Sequence, residues 1–157
     1  MEIERKFLIK SIPDDILSKC EFAEIEQVYL DYGSLDTPEC RIRKTTKNGK
    51  TEYFYTEKGS GDLCREEDEY EISEYSYKRL KELAISSVVE KTRYYLSLTT
   101  TLTAEIDVYG GSLNGLRVAE IEFSSVEESE SFSPPEWLGK EITYDKKYKN
   151  KNLAKLI

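Results

Sequence analysis

The sequence predicts an α+β fold that is mainly β, and three observations carry that prediction. Apolar and polar residues alternate with a period of two in eight short runs. Turn residues separate the runs, most clearly Asn48-Gly49 in "RIRKTTKNGKTEYFYTEK", a pair suited to a two-residue turn with both residues at positive φ. Six of the eight runs also carry charges at every second position, beginning with Glu2, Glu4 and Lys6 of "MEIERKFLIK".

In chain order, strands are expected over residues 2–9, 22–31, 40–47, 50–58, 64–72, 88–97, 102–109 and 116–123. Ile3, Phe7 and Ile9 occupy the face opposite the first charged row, because successive strand side chains point to opposite sides. "AEIDVY" and "VAEIEF" repeat the pattern, with Ala104, Ile106 and Val108 in one and Ala119, Ile121 and Phe123 in the other. Helices are expected over 12–19, after Ser73 in "SEYSYKRLKELA", around 126–131 and at the C-terminal "NKNLAKLI". Ser73 is placed to cap the second of these, with Tyr77, Leu80 and Leu83 as its apolar stripe. The Ser/Glu-rich "SSVEESESFSPPEW" reads as a solvated surface segment ending in a Pro-Pro turn. No repeat or linker divides the chain, so residues 1–157 are expected to form one domain.

Composition limits what such a fold can do. A chain of 157 residues can bury a core without disulfide or metal staples. Its net charge of −8 speaks against an extended nucleic-acid or anionic-membrane surface, which needs uncompensated Lys and Arg. An anionic partner must therefore be met locally. Without an apolar leader or a stretch of about 18 apolar residues, the expected location is the cytoplasm. Cys20, Cys40 and Cys64, odd in number and widely spaced, suit reduced thiols. The absence of histidine removes Ser-His-Asp and Cys-His catalysis and imidazole metal ligation.

The charged rows recur as Arg41 and Arg43; Arg65, Glu67, Glu69 and Glu71; Lys91 and Arg93; Glu105 and Asp107; and Glu120 and Glu122. In an open sheet they would face water and pair across strands for about 0.2–1 kcal/mol each. In a closed barrel, for which about eight strands is a natural number, they would face a lumen. With Lys58 included, that lumen would hold nine acids against seven bases. Enclosed charges on this scale require pairing or a ligand of both signs. A polyphosphate with hard divalent cations meets that need, since Arg and Lys take phosphate oxygens and carboxylates take the metal. Parity alone does not choose between the two arrangements.

"EIERKFL", "RIR", "EKGSGDLCREEDEYEI", "VEKTRY", "AEIDVY", "VAEIEF" and "DKKYKNKNLA", in this order over practically the whole chain, resemble the CYTH family of triphosphate tunnel metalloenzymes. Within it the likeness is to the compact bacterial inorganic triphosphatases. The resemblance implies an eight-stranded antiparallel β-barrel with its charges inward and flanking helices. It implies that Lys6, Arg41, Arg43, Lys58, Lys91 and Arg93 grip the triphosphate. It assigns metal binding to Glu2, Glu4, Glu120 and Glu122, with Glu67, Glu69 and Asp107 as further tunnel carboxylates, around two ions of Mg²⁺ or Mn²⁺. Tyr29, in "IEQVYL", matches a family tyrosine and is expected to form a proton-accepting dyad with Lys6. Glu71 departs from the neutral amide that relatives often carry.

The implied activity is metal-dependent hydrolysis of inorganic triphosphate to pyrophosphate and phosphate. The same fold also serves adenylate cyclases and thiamine triphosphatases, although the histidine that often accompanies the first motif of the cyclase branch is missing here. A non-catalytic polyphosphate binder would not need the paired carboxylates. The expected partner is a small anionic substrate, met by a monomer or homodimer. Gly59-Ser60-Gly61 reads as a hairpin loop rather than a phosphate cradle, and Trp137 as packing. "KKYKNKN" reads as a barrel cap, with Lys147, Tyr148 and Lys149 near the tunnel end.

Overall fold

A computed structural model describes residues 1–156 of the chain. Its elements are β1 (Glu2–Ile9), α1 (Asp14–Leu17), β2 (Glu21–Asp31), β3 (Glu39–Lys47), β4 (Lys50–Lys58), β5 (Cys64–Arg65) and β6 (Glu67–Ile72). They continue with α2 (Glu74–Lys81), β7 (Val89–Ser97), β8 (Thr103–Tyr109), β9 (Arg117–Glu122), α3 (Val126–Ser131), β10 (Leu138–Glu141) and α4 (Asn150–Leu153). Ile157, the last residue of the expected C-terminal helix, lies outside the described residues.

All strand pairings are antiparallel, in the order β10-β1-β9-β8-β7-β2-β3-β4-β6. The expected run 64–72 is divided at Glu66. Its second part, β6, pairs with β4, while its first part, β5, crosses to β1 with Arg65 opposite Glu2. The sheet thereby returns upon itself and forms a nearly closed barrel, which leaves few open edges.

Local chemistry places the turns and caps. Asn48 and Gly49 have φ of 52° and 76°, the left-handed pair that a tight hairpin between Lys47 and Lys50 requires. Gly61, at φ 127°, could carry no Cβ, which would lie 2.2 Å from the Cys64 carbonyl oxygen. The Gly59–Gly61 segment is accordingly the β4–β5 connection. Ser73 caps α2 by accepting from the Ser76 N–H at 3.0 Å. Ser125 does the same for α3, and Glu128 reaches back to the Ser124 N–H at 2.8 Å.

The apolar faces of β1, β8 and β9 point outward. Phe7, Ala104, Ile106, Ala119 and Ile121 pack beneath Leu17, Phe132, Trp137 and Leu138. α2 covers Val28 and Ile42 with Tyr77. Burying the Phe, Leu, Ile and Val side chains among these gains about 1.5–3 kcal/mol each. With these faces sealed outside, the charged rows are turned inward. A third cluster, Tyr29, Val89, Tyr109, Val118, Ile142 and Leu153, joins inward-facing strand residues to the C-terminal segment and stops one end of the barrel.

Three local expectations need correction. Leu83 lies beyond the end of α2 and is 67% exposed, so the helix's stripe is Tyr77 and Leu80 alone. The 124–137 segment is solvated only in part: the expected helix forms as α3 and buries Ser129, and Trp137 packs on the outer core as expected. β10 was not expected; it is held to β1 by backbone pairing and by Arg5, whose guanidinium reaches Glu141 at 2.7 and 3.0 Å.

Candidate active site

Strand alternation gathers the charged rows around a cavity of about 180 Å³. Of the residues expected to bind substrate, Lys6, Arg41, Arg43, Lys58 and Arg93 line it. So do the acids Glu2, Glu4, Glu67 and Glu120, and Tyr29. The registers explain the grouping. Lys6 lies opposite Glu120, Glu4 opposite Glu122, Tyr29 opposite Arg41, and Lys58 opposite Glu67.

Four expected residues lie off this lining. Asp107, expected among the metal-binding carboxylates, is instead the buried counter-ion of two cations. It accepts from Arg93 Nε at 2.7 Å and Nη2 at 2.9 Å, and Lys91 Nζ stands 2.8 Å away. Lys91, expected to grip phosphate, is committed to Asp107 with no side-chain exposure. Glu69 and Glu122 are exposed, Glu69 accepting from Thr56 Oγ1 at 3.3 Å. Glu71 is exposed on the same strand as Glu69.

The lumen is electrostatically uneven. Burial pushes Glu4 up to about 8, reinforced by Glu120 and then Glu2, against the pull of Lys58 and Lys6. Burial also opposes ionisation of Glu120, yet Lys6 and Arg93 hold it down to about 2. Glu2 is ionised against its burial by Lys58 at 3.0 Å, while burial and the hydrogen bond with Glu2 push Glu67 up to about 7. The two neighbouring carboxylates are thus shifted in opposite directions, Glu2 down beside Lys58 and Glu67 up. Arg41 Nε is buried with no acceptor among the described residues.

Lys6 and Tyr29 line the same cavity but do not hydrogen-bond to each other. Lys6 Nζ donates to the Tyr148 carbonyl at 2.7 Å and stands 3.6 Å from Glu120. The Tyr29 hydroxyl accepts from Gln27 Nε2 at 3.2 Å, and burial pushes it up to about 12 despite Arg41, so it stays protonated at neutral pH.

The donor set suits a hard divalent ion. Glu2, Glu4 and Glu120 present carboxylate oxygens to one cavity, where burial first and the neighbouring Glu120 and Glu2 next push Glu4 up. Among the described residues, no three acids already stand grouped as a finished cage.

Several lining residues escaped the sequence reading. Glu39 shares the parity of Arg41 and Arg43, and beginning that run one residue earlier would have found it; it pairs with Arg65 at 3.0 Å. Asp62, Thr143 and Asn150 lie outside the strands, where no periodicity marks them. Asp62 is held by Lys149 at 2.8 Å, and Thr143 Oγ1 accepts from the Lys6 N–H at 3.0 Å.

A nearly closed barrel with inward Glu, Lys and Arg rows and a stopped end defines a triphosphate-tunnel protein. No family model matches the chain. It is 40% identical over 153 residues to an inorganic triphosphatase of Nitrosomonas europaea, covering 98% of this chain and 96% of that protein. It is 33% identical over 156 residues to an inorganic triphosphatase of Acetivibrio thermocellus, covering 98% and 93%. Among solved structures, the inorganic triphosphatase NE1496 superimposes with a TM-score of 0.70 at 37% identity, covering 100% of this chain and 96% of that one. The chain belongs to the inorganic triphosphatase family of CYTH tunnel proteins.

Proposed function

We propose that this chain hydrolyses inorganic triphosphate to pyrophosphate and phosphate, using a divalent metal ion. The observation that carries this reading is one cavity of about 180 Å³ whose lining brings Lys6, Arg41, Arg43, Lys58 and Arg93 together with Glu2, Glu4 and Glu120. The inorganic triphosphatases it resembles support it.

In this reading Lys6, Arg41, Arg43, Lys58 and Arg93 bind and orient the phosphate oxygens, so that much of the catalysis is positioning and charge stabilisation. Glu2, Glu4 and Glu120 hold the metal, with Glu122 at the rim. A bound Mg²⁺ or Mn²⁺ would neutralise developing negative charge on the phosphates. Water attacks a terminal phosphorus, the bridging P–O bond breaks, and pyrophosphate leaves. Only the neutral amine form of Lys6 has a lone pair to take the proton released by water; its ammonium form, donating to the Tyr148 carbonyl, binds phosphate. Tyr29, protonated and enclosed beside Arg41, steadies the arginines instead of acting as the base. Lys91 and Asp107 support Arg93 from behind the lumen.

Residues 1–157 act as one domain, as a monomer or homodimer in the cytoplasm. No helix among the described residues is long and apolar enough to cross a membrane.

The test is incubation with triphosphate, ATP and thiamine triphosphate under Mg²⁺ and Mn²⁺, followed by product separation. Phosphate release from inorganic triphosphate is expected to be at least about tenfold faster than from either organic substrate. Cyclic AMP as the dominant product from ATP would rule the reading out.

A further inference from the structure

Gln27 has 0% exposure and sits on β2 directly opposite Arg43 of β3. Both ends of its amide are used. Oε1 accepts from Arg43 Nε at 3.1 Å, and Nε2 donates to the Tyr29 hydroxyl at 3.2 Å. The neighbouring cations are met by acids instead: Arg93 by Asp107 and Glu105 at 2.7 and 3.0 Å, Lys58 by Glu2 at 3.0 Å, and Arg41 by Glu67 at 3.8 Å. Among the described residues, no carboxylate reaches ion-pair distance of Arg43. Yet burial, with Arg41 and Arg93 alongside, pulls its guanidinium down to about 10, so its positive charge is held at a cost.

Glutamate at position 27 would place an opposite charge against the buried guanidinium and pair with it, as the acids beside the neighbouring cations do. An amide satisfies the Nε–H without cancelling the charge. We propose that Gln27 is a positioning residue that fixes the Arg43 guanidinium in the lumen through a neutral hydrogen bond and leaves its full charge for the anionic substrate. The inference rests on the triphosphatase reading for the identity of that anion, but its logic applies to any oxyanion in the cavity.

Calorimetric affinities of the whole chain for triphosphate and for sulfate, compared among wild type, Gln27→Glu and Gln27→Met, test it. Gln27→Glu is expected to weaken both anions by about tenfold or more, because it neutralises Arg43. Gln27→Met loses both hydrogen bonds but leaves the charge, and is expected to cost only about threefold. In turnover, Gln27→Glu should raise KM more than it lowers kcat. A purely structural amide predicts the opposite order, since Glu retains the acceptor and Met does not.

That opposite order, equal affinities, or no measurable anion binding by the wild type would overturn the proposal. Should Gln27→Glu fail to fold, Gln27→Met in an Arg43→Met background decides. No further loss is expected if Gln27 acts through Arg43, and a fully additive loss overturns it. The expected order with sulfate, in a wild type that neither binds nor hydrolyses triphosphate, would remove the triphosphatase reading and leave the Gln27–Arg43 arrangement standing.

Discussion

Replacing Asp107 with Asn removes the one carboxylate shared by Lys91 and Arg93 while keeping its shape. The Asp107 and Lys91 side chains are both 0% exposed, and Arg93 is 9% exposed. Removing one partner of a buried pair costs about 3–5 kcal/mol, because a charge is left without compensation. The lower end applies here, for two reasons visible in the structure. Lys91 can shed its proton, since burial already pulls it down to about 7, with Arg93 and Arg43 adding to the pull and Asp107 resisting. Arg93 retains Glu105 at 3.0 Å. A lysine pulled down beside an ionised aspartate looks inconsistent, but the bidentate Arg93 already neutralises Asp107, so Lys91 is the surplus cation. About 3 kcal/mol in a chain of this length lowers Tm by about 6–12 °C. Thermal and urea unfolding followed by two probes would measure it. Glu105→Gln, whose carboxylate is 29% exposed, serves as the comparator and should cost less than about 1 kcal/mol. If Asp107→Asn unfolds within about 2 °C of the wild type, the triad is not a structural unit, and Asp107 returns to the set of metal-binding acids.

Other outcomes follow from the same geometry. Above about pH 8 the folded chain has released the Lys91 proton, while an unfolded lysine keeps its own to about 10.4, so stability should rise with pH between these values; Lys91→Met should flatten the slope in pH-dependent urea midpoints. Glu4→Gln and Glu120→Gln should each lower turnover by about tenfold to a hundredfold with Tm largely kept, whereas exposed Glu71→Gln should be mild; equal small effects in steady-state assays would remove the inner carboxylates from the metal site. Lys6→Arg keeps the charge but cannot deprotonate, so kcat should fall far more than KM rises, and Tyr29→Phe should cost less; an unchanged pH–rate profile for Lys6→Arg would reduce Lys6 to a phosphate ligand. Chelation should abolish hydrolysis, with Mg²⁺ or Mn²⁺ restoring it and raising Tm in a concentration-dependent manner.

Period-two alternation and turn residues determined most of the fold, because strand geometry and tight turns are set by neighbours in sequence. The Asn48-Gly49 hairpin, the Ser73 cap and the charged rows could all be read that way. β10 could not, since a four-residue strand carries too little periodicity and exists through its pairing with β1. Likewise, E-x-E and R-x-R identify residues that share a face without saying which face is enclosed. The apolar layers under α1, α2 and α3 decided that, by occupying the outside of the sheet. Only the tertiary structure separated charges available to a ligand from charges consumed by one another. Arg41, Arg43, Lys91 and Arg93 are equivalent as a sequence pattern, yet Lys91 closes on Asp107 behind the lumen, Arg93 is held by Asp107 while still lining the cavity, and Gln27 leaves Arg43 unneutralised. The reason is that pairing depends on cross-strand register and burial, which distant segments impose on each other, whereas alternation depends only on the chain's own backbone.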